Sequence, residues 1–139
     1  TGIIIIVSLL LGLFLSTMGL KNVIARERPY NTEEALLTVE NLLISAPSGR
    51  FSFPSGHAIS SFSAATVILL YSKKLGIPAI ILAALICFTR LYLYVHFPSD
   101  VICGALFGIL LAFMSNFLVN KIWEKNNERK LSNNSKQND

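Results

Sequence analysis

Apolar residues fall into four long runs separated by shorter polar stretches. The runs are Ile3 to Leu20, about Ala58 to Tyr71, Ile77 to Val95 and Val101 to Val119. Each is close to the roughly 20 residues needed to cross the hydrocarbon core of a bilayer, the second being shorter and more polar. Lipid offers backbone amides no water to bond, so such segments are helices rather than open sheet. Pro78 opens the third run at what reads as a first-turn position. The pattern predicts an all-α polytopic membrane bundle with about four spanning helices.

The polar stretches predict less regular structure. Between the first two runs, Lys21 to Gly56 includes Glu33-Glu34-Ala35-Leu36-Leu37, with Thr32 as an N-cap for a short surface helix. Ser45 to Pro54 is rich in Pro, Gly and Ser and reads as a loop. Glu124 to Asp139 is polar, Asn-rich and without apolar periodicity, which predicts a disordered tail behind a membrane-embedded domain of residues 1–123. The first run has no charged region before it and no small-residue cleavage site after it, so it reads as a span and not as a signal peptide. The chain starts without Met, directly in an apolar run, so the expectation is that further residues precede it.

Composition strengthens the membrane reading. The 139 residues are 53% hydrophobic and 14% charged, whereas soluble domains carry about 25% charged residues. Mean hydropathy is +0.57. The net charge of +4 comes without a basic stripe interleaved with aromatics, so the expected partner is the lipid bilayer and not nucleic acid. Alternation of the spans puts Lys21 to Gly56 and the His96–Asp100 turn on one side, and Ser72 to Gly76 and the tail on the other. The second side carries seven Lys or Arg and the first five, a mild bias that places the tail in the cytoplasm and the histidines outside. Cys87 and Cys103 fall at different depths in their runs, which argues for packing roles and against a disulfide.

The unusual polar residues gather on the side with the histidines, in three clusters. In the first, Lys21 and Arg28 are seven apart and share a face if the stretch is helical, with Pro29 ending that helix. Taken alone, this cluster is better accounted for as a snorkelling basic cap on a span. The second is Pro54-Ser55-Gly56-His57 at the start of a helix, where free N–H groups and the helix dipole attract anions and Gly56 lets the backbone come close. It also reads as a Ser N-cap with an incidental histidine. The third is Arg90, His96 and Asp100. A guanidinium about 9 Å below the end of an apolar run is costly and suggests function. Asp100, four after His96, can accept a hydrogen bond from one imidazole nitrogen and leave the other free to attack, or can simply cap the fourth helix. Taken together, three cations, a helix N-terminus and two histidines form a phosphate pocket with a nucleophile and an acid.

Lys21-x6-Arg28-Pro29, Pro54-Ser55-Gly56-His57 and Thr89-Arg90-x5-His96-x3-Asp100 together resemble the three-part signature of the type 2 phosphatidic acid phosphatase superfamily. That superfamily includes lipid phosphatases, bacterial undecaprenyl-diphosphate phosphatases and vanadium haloperoxidases. Thr89 departs from the usual Ser but keeps the hydroxyl. Membrane members usually have six spans with the first motif after the third, so the resemblance implies about two further spans upstream. It implies that His96 attacks phosphorus, that Asp100 orients His96, and that His57 protonates the leaving oxygen and then activates water. Lys21, Arg28, Arg90 and the backbone of Ser55, Gly56 and His57 would hold the phosphoryl oxygens, with no metal or other cofactor. The expected substrate is a lipid phosphate or diphosphate, with undecaprenyl diphosphate preferred on size and membrane style. Phosphatidic acid and phosphatidylglycerol phosphate stay open, as do haloperoxidation with vanadate and a non-enzymatic role in lipid headgroup binding or transport. Oligomeric state is left open.

Overall fold

A computed structural model of the protein describes residues 1–16, 21–31 and 51–137. The short helix expected after Thr32, residues 17–20 of the first apolar run and residues 45–50 of the expected loop lie outside the described residues. The helices are α1 (Gly2–Phe14), α2 (Lys21–Ile24), α3 (Gly56–Tyr71), α4 (Lys73–Tyr92) and α5 (Pro98–Gln137), with a 3₁₀ turn at Pro29–Asn31. Among the described residues the only strand-like pairing is an isolated antiparallel bridge between Glu27 and Phe51. The fold is therefore the all-α bundle that the apolar runs predict.

Helix lengths qualify the expectation of four spans. Lys73–Tyr92 and Pro98–Asn133 are long and apolar enough to cross a membrane. Helix α3, with 16 residues, reaches about 24 Å at 1.5 Å per residue, short of a core of about 30 Å.

The boundaries also shift. Helix α4 begins at Lys73 because Ser72 caps it, the Ser72 hydroxyl accepting from the Leu75 N–H. Pro78 consequently lies inside the helix and not in its first turn. Helix α4 ends at Tyr92, not Val95, in a Schellman-type cap. Tyr94 takes a left-handed φ of 56°, its N–H bonds to the Leu91 carbonyl, and the Val95 N–H bonds to Arg90. Helix α5 continues to Gln137 where a disordered tail is expected. Lys, Glu, Arg and Leu are good helix formers, and a span that has already nucleated the helix lets them extend it.

Helix α3, the shorter and more polar segment, is the centre of the bundle and packs against α1, α4 and α5. Its inward face mixes small and polar residues, Ala58, Ser63, Ala65 and Thr66, with the branched Ile59 and Val67, all buried. The Ser63 and Ser8 hydroxyls form a buried hydrogen bond between α3 and α1. The outer faces are the reverse, since Ile3, Ile6 and Leu10 of α1, Ile81, Leu85 and Phe88 of α4, and Ile102, Leu106 and Leu110 of α5 are all exposed. Apolar surface of that extent is unsuited to water. Polar and small residues inside with large apolar ones outside is the arrangement of a membrane protein, where lipid is as apolar as leucine and close backbone packing drives association.

Gly104 and Gly108 on α5 make that close approach to α3 possible. A Cβ at Gly104 would sit 2.7 Å from the Ser55 carbonyl oxygen. One at Gly108 would collide with the Ile59 carbonyl oxygen and lie 3.0 Å from the Ser63 nitrogen. The two helices run in the same direction. Ser55 N–H bonds to the Asp100 carbonyl at one end, and the Tyr71 hydroxyl bonds to Asn116 Oδ1 at the other. The C-terminal ends of α1 and α4 and the N-terminal ends of α3 and α5 thus meet at one end of the bundle. Cys87 and Cys103 are free thiols, and Cys87 packs with Ala58 and Val101 just behind this end.

Candidate active site

The first of the three polar clusters is not the continuous helix that a shared face for Lys21 and Arg28 requires. Helix α2 stops at Ile24, and Ala25 turns the chain with a left-handed φ of 46°. Arg26 to Arg28 then run extended, with Ser52 N–H bonding to the Arg26 carbonyl and Glu27 bridging Phe51. Pro29 gives the physical reason: its ring disfavours helix at Arg28, so Pro29 opens a 3₁₀ turn and does not end a helix. Lys21 and Arg28 reach the same cavity through this turn.

The second cluster is built as expected. Ser55 is buried and caps α3, its hydroxyl accepting from the Ala58 N–H at 3.5 Å. The first-turn amides of α3 have no carbonyl one turn earlier to bond. Gly56 is next to the Ser16 hydroxyl, which a Cβ would approach to 3.3 Å. His57 is exposed in this first turn.

The third cluster sits on the connection from α4 to α5. Arg90 lies two residues before the helix end, not about 9 Å below it, because α4 stops at Tyr92. Its Nε donates to Thr89 Oγ1 at 3.3 Å. His96 is buried. Asp100 is at the third position of α5 and fully buried, and its Oδ2 accepts from the Phe97 N–H at 2.9 Å, half of a capping box. Oδ2 is also 3.8 Å from His96 Nδ1, outside hydrogen-bond range. Of the two roles weighed for Asp100, the cap is present in its geometry and the hydrogen bond to the imidazole is not made.

A cavity of about 480 Å³ brings these segments together. Lys21, Arg28, Gly56, His57, Arg90 and His96 line it. Ser55 and Asp100 stand behind it as helix caps. Its apolar wall is Leu9, Gly12, Leu13, Ile59 and Val95. Among the described residues three cations line the cavity and no carboxylate does, so their field suits an anion. Burial, and after it the neighbouring Arg28, lower the Lys21 pKa from its ordinary value. His57 is within electrostatic reach of Arg90, His96, Lys21 and Arg28. Among the described residues no group of three or more His, Cys, Asp or Glu could hold a metal ion.

Arg26 was not expected here. Its Nη1 donates to Asp100 Oδ1 at 2.9 Å and to Ser99 Oγ at 2.6 Å, and its guanidinium lies 4.0 Å from the centre of the Phe97 ring. Arg28 Nη1 donates to the Val95 carbonyl at 3.1 Å. Side chains two apart share a side of an extended segment. Pro29 after Arg-Glu-Arg was the available signal that Arg26 and Arg28 would face the same turn.

Fold and site together define a helical membrane protein with a cation-lined cavity that holds two histidines from different helix ends. A family model described as the PAP2 superfamily matches residues 1–124, and the chain belongs to that superfamily. It is 37% identical over 115 residues to an undecaprenyl-diphosphatase from Sulfolobus acidocaldarius, covering 82% of this chain and 53% of that protein. It is 33% identical over 105 residues to a lipid A 4'-phosphatase from Bacteroides thetaiotaomicron, covering 74% and 47%. The crystal structure of a transmembrane PAP2-type phosphatidylglycerolphosphate phosphatase from Bacillus subtilis superimposes with a TM-score of 0.68 at 28% identity, over 87% of this chain and 60% of that one. The chain thus spans about half the length of the curated relatives it matches.

Proposed function

We propose that this chain forms the catalytic core of a membrane phosphatase that hydrolyses a lipid phosphate or diphosphate through a phosphohistidine, with undecaprenyl diphosphate as the preferred substrate. The observation that carries this is the cavity: three cations and two histidines on its polar wall, and Leu9, Leu13, Ile59 and Val95 on its apolar wall. A headgroup and the first part of a lipid chain have complementary chemistry.

In this reading the phosphoryl oxygens lie among Lys21, Arg28, Arg90 and the first amides of α3, where Ser55 shapes the turn and Gly56 permits close approach. A His96 ring nitrogen attacks phosphorus as the bond to the leaving oxygen breaks, and Asp100 orients the imidazole. His57 gives its proton to the leaving oxygen, an effect worth about 10²–10⁴ in rate for a well-placed acid. It then takes a proton from the water that displaces His96 from phosphorus, releasing inorganic phosphate. Fixed cations aimed at the transferring group do the electrostatic work and need no metal in this mechanism. The helices cross the cell membrane several times, residues 1–123 forming the embedded domain and 124–139 a cytoplasmic extension. The mild excess of Lys and Arg near Ser72 and after Val119 supports an active site facing outward.

Similarity to the undecaprenyl-diphosphatase supports the substrate choice. Structural likeness to the phosphatidylglycerolphosphate phosphatase favours that headgroup as the second candidate. The deciding experiment measures phosphate release by the purified full-length protein from undecaprenyl diphosphate, phosphatidylglycerol phosphate and phosphatidic acid, with His96→Ala alongside. Undecaprenyl diphosphate should be turned over fastest, the variant should be inactive, and EDTA should leave the rate unchanged. Near-normal turnover by His96→Ala would refute the mechanism, and a strong preference for phosphatidic acid would refute the substrate choice.

A further inference from the structure

The geometry points to Arg26 as a positioning residue that sets the Asp100 carboxylate against His96, an assignment that rests on the phosphohistidine reading above. Asp100 is fully buried, and a buried carboxylate needs both its charge and its oxygens answered. Arg26 holds Oδ1 at 2.9 Å and the Phe97 amide holds Oδ2 at 2.9 Å. A donor on each oxygen fixes which way the carboxylate faces. The orientation they impose turns Oδ2 towards His96 Nδ1, 3.8 Å away. That nitrogen is buried and has no hydrogen-bond partner among the described residues. An approach of about 1 Å would complete the bond, and catalytic hydrogen bonds commonly tighten only when substrate is bound.

Arg26 acts on more than the carboxylate. The same guanidinium nitrogen holds Ser99 Oγ, and its plane covers Phe97, so one side chain grips the turn from Phe97 to Asp100. Its backbone carbonyl accepts from Ser52 N–H, on the segment that leads into Ser55 and His57. One residue thereby ties together the segments that carry the two histidines. Arg26 does not line the cavity, so its influence passes through Asp100 and not through contact with phosphate. Its side chain is 38% exposed while Asp100 is fully buried, so Arg26→Ala leaves a buried carboxylate without its charge partner and Arg26→Lys keeps one.

The test compares the parent full-length protein with Arg26→Ala and Arg26→Lys. In Arg26→Ala, kcat for phosphate release should fall about tenfold to a hundredfold, a fraction of the roughly 10⁴ lost when the Asp of a serine-protease triad is neutralised. KM should stay within about twofold, because a group that touches only the catalytic pair alters the transition state and not headgroup binding. Arg26→Lys should recover most of kcat, since a single charged nitrogen makes both bonds to Asp100 and Ser99. Parent-like kcat in Arg26→Ala, a loss confined to KM, or a lysine variant as slow as the alanine one would each overturn the assignment.

A second measurement does not need turnover. With ¹⁵N-histidine labelling, the resonances lost in His57→Gln and in His96→Gln identify the two imidazoles of this chain. The His96 Nδ1 resonance should move in Arg26→Ala and stay near the parent position in Arg26→Lys. An unmoved resonance in Arg26→Ala overturns the assignment whatever the enzyme's substrate. Full activity in His96→Ala with a moved resonance would instead sink the phosphohistidine reading and leave Arg26 as the residue that sets Asp100.

Discussion

His57 and His96 line one cavity but are held in different ways. His96 is buried in the short turn between α4 and α5, with a fully buried Asp100 one helical step behind it. His57 is exposed in the first turn of α3. A nucleophile gains from a fixed ring beside a fixed carboxylate, because misplacement by a fraction of an ångström slows attack. A group that must pass a proton to a leaving oxygen and then take one from water needs access instead. The different settings favour the division of labour proposed for them, and several experiments can break or sharpen it.

The largest effect should come from His96→Ala, which removes the proposed attacking atom. Phosphate release should fall to background with any lipid phosphate, and a substrate with a low-pKa leaving group should not restore it. His57→Ala should cost about 10²–10⁴ on the natural substrate, yet an activated leaving group, which departs without a proton, should still be released in a burst of one equivalent before the slow water step. The same burst from His96→Ala would erase the distinction between the two histidines.

A smaller effect tests the spacing between the supports. The helix behind His96 and the helix bearing His57 approach closely at Gly104 and Gly108. Gly108→Leu should lower stability by about 1–3 kcal/mol through overpacking and depress activity by separating the two halves of the site, as read by thermal unfolding in detergent and by turnover. Ser55→Ala removes the cap from the helix that carries His57 and should cost about 1 kcal/mol, visible in the same unfolding assay. An unchanged melting temperature would deny the cap its role.

The mildest effect separates binding from chemistry. The Lys21 pKa is lowered by burial and by Arg28, so Lys21 loses its charge at a lower pH than an ordinary lysine. KM should therefore rise on the alkaline side before the usual lysine range while kcat holds, and Lys21→Arg should push that rise to higher pH. A KM–pH profile that is the same in both proteins would remove Lys21 from the phosphate site.

Much of this arrangement was legible in the order of the residues, with instructive exceptions. Capping chemistry is local, so Ser55 before α3 and Asp100 at the start of α5 could be read directly. Lys21 and Arg28 were assigned a common helical face, whereas Ala25 and Pro29 break the helix and an extended segment carries Arg28 to the cavity. Arg26 stayed hidden because its partners are more than 70 positions away, and nothing within one segment reports such a distance. Helix ends were displaced wherever a cap outcompeted the apolar pattern, as at Ser72 and Tyr94.

Hydropathy and short-range spacing by themselves determined that this protein is a bundle of membrane-suited helices, and which residues cap them. Both are consequences of local chemistry: the cost of placing a polar group in lipid, and the orphan groups of a helix end. Only the tertiary structure decided that α3 is the axis of the bundle, that glycines on α5 set its closest approach, and that Arg26 and Asp100 meet behind His96. Those relations join segments from both ends of the chain. They arise from packing, where side chains distant in sequence settle each other's positions.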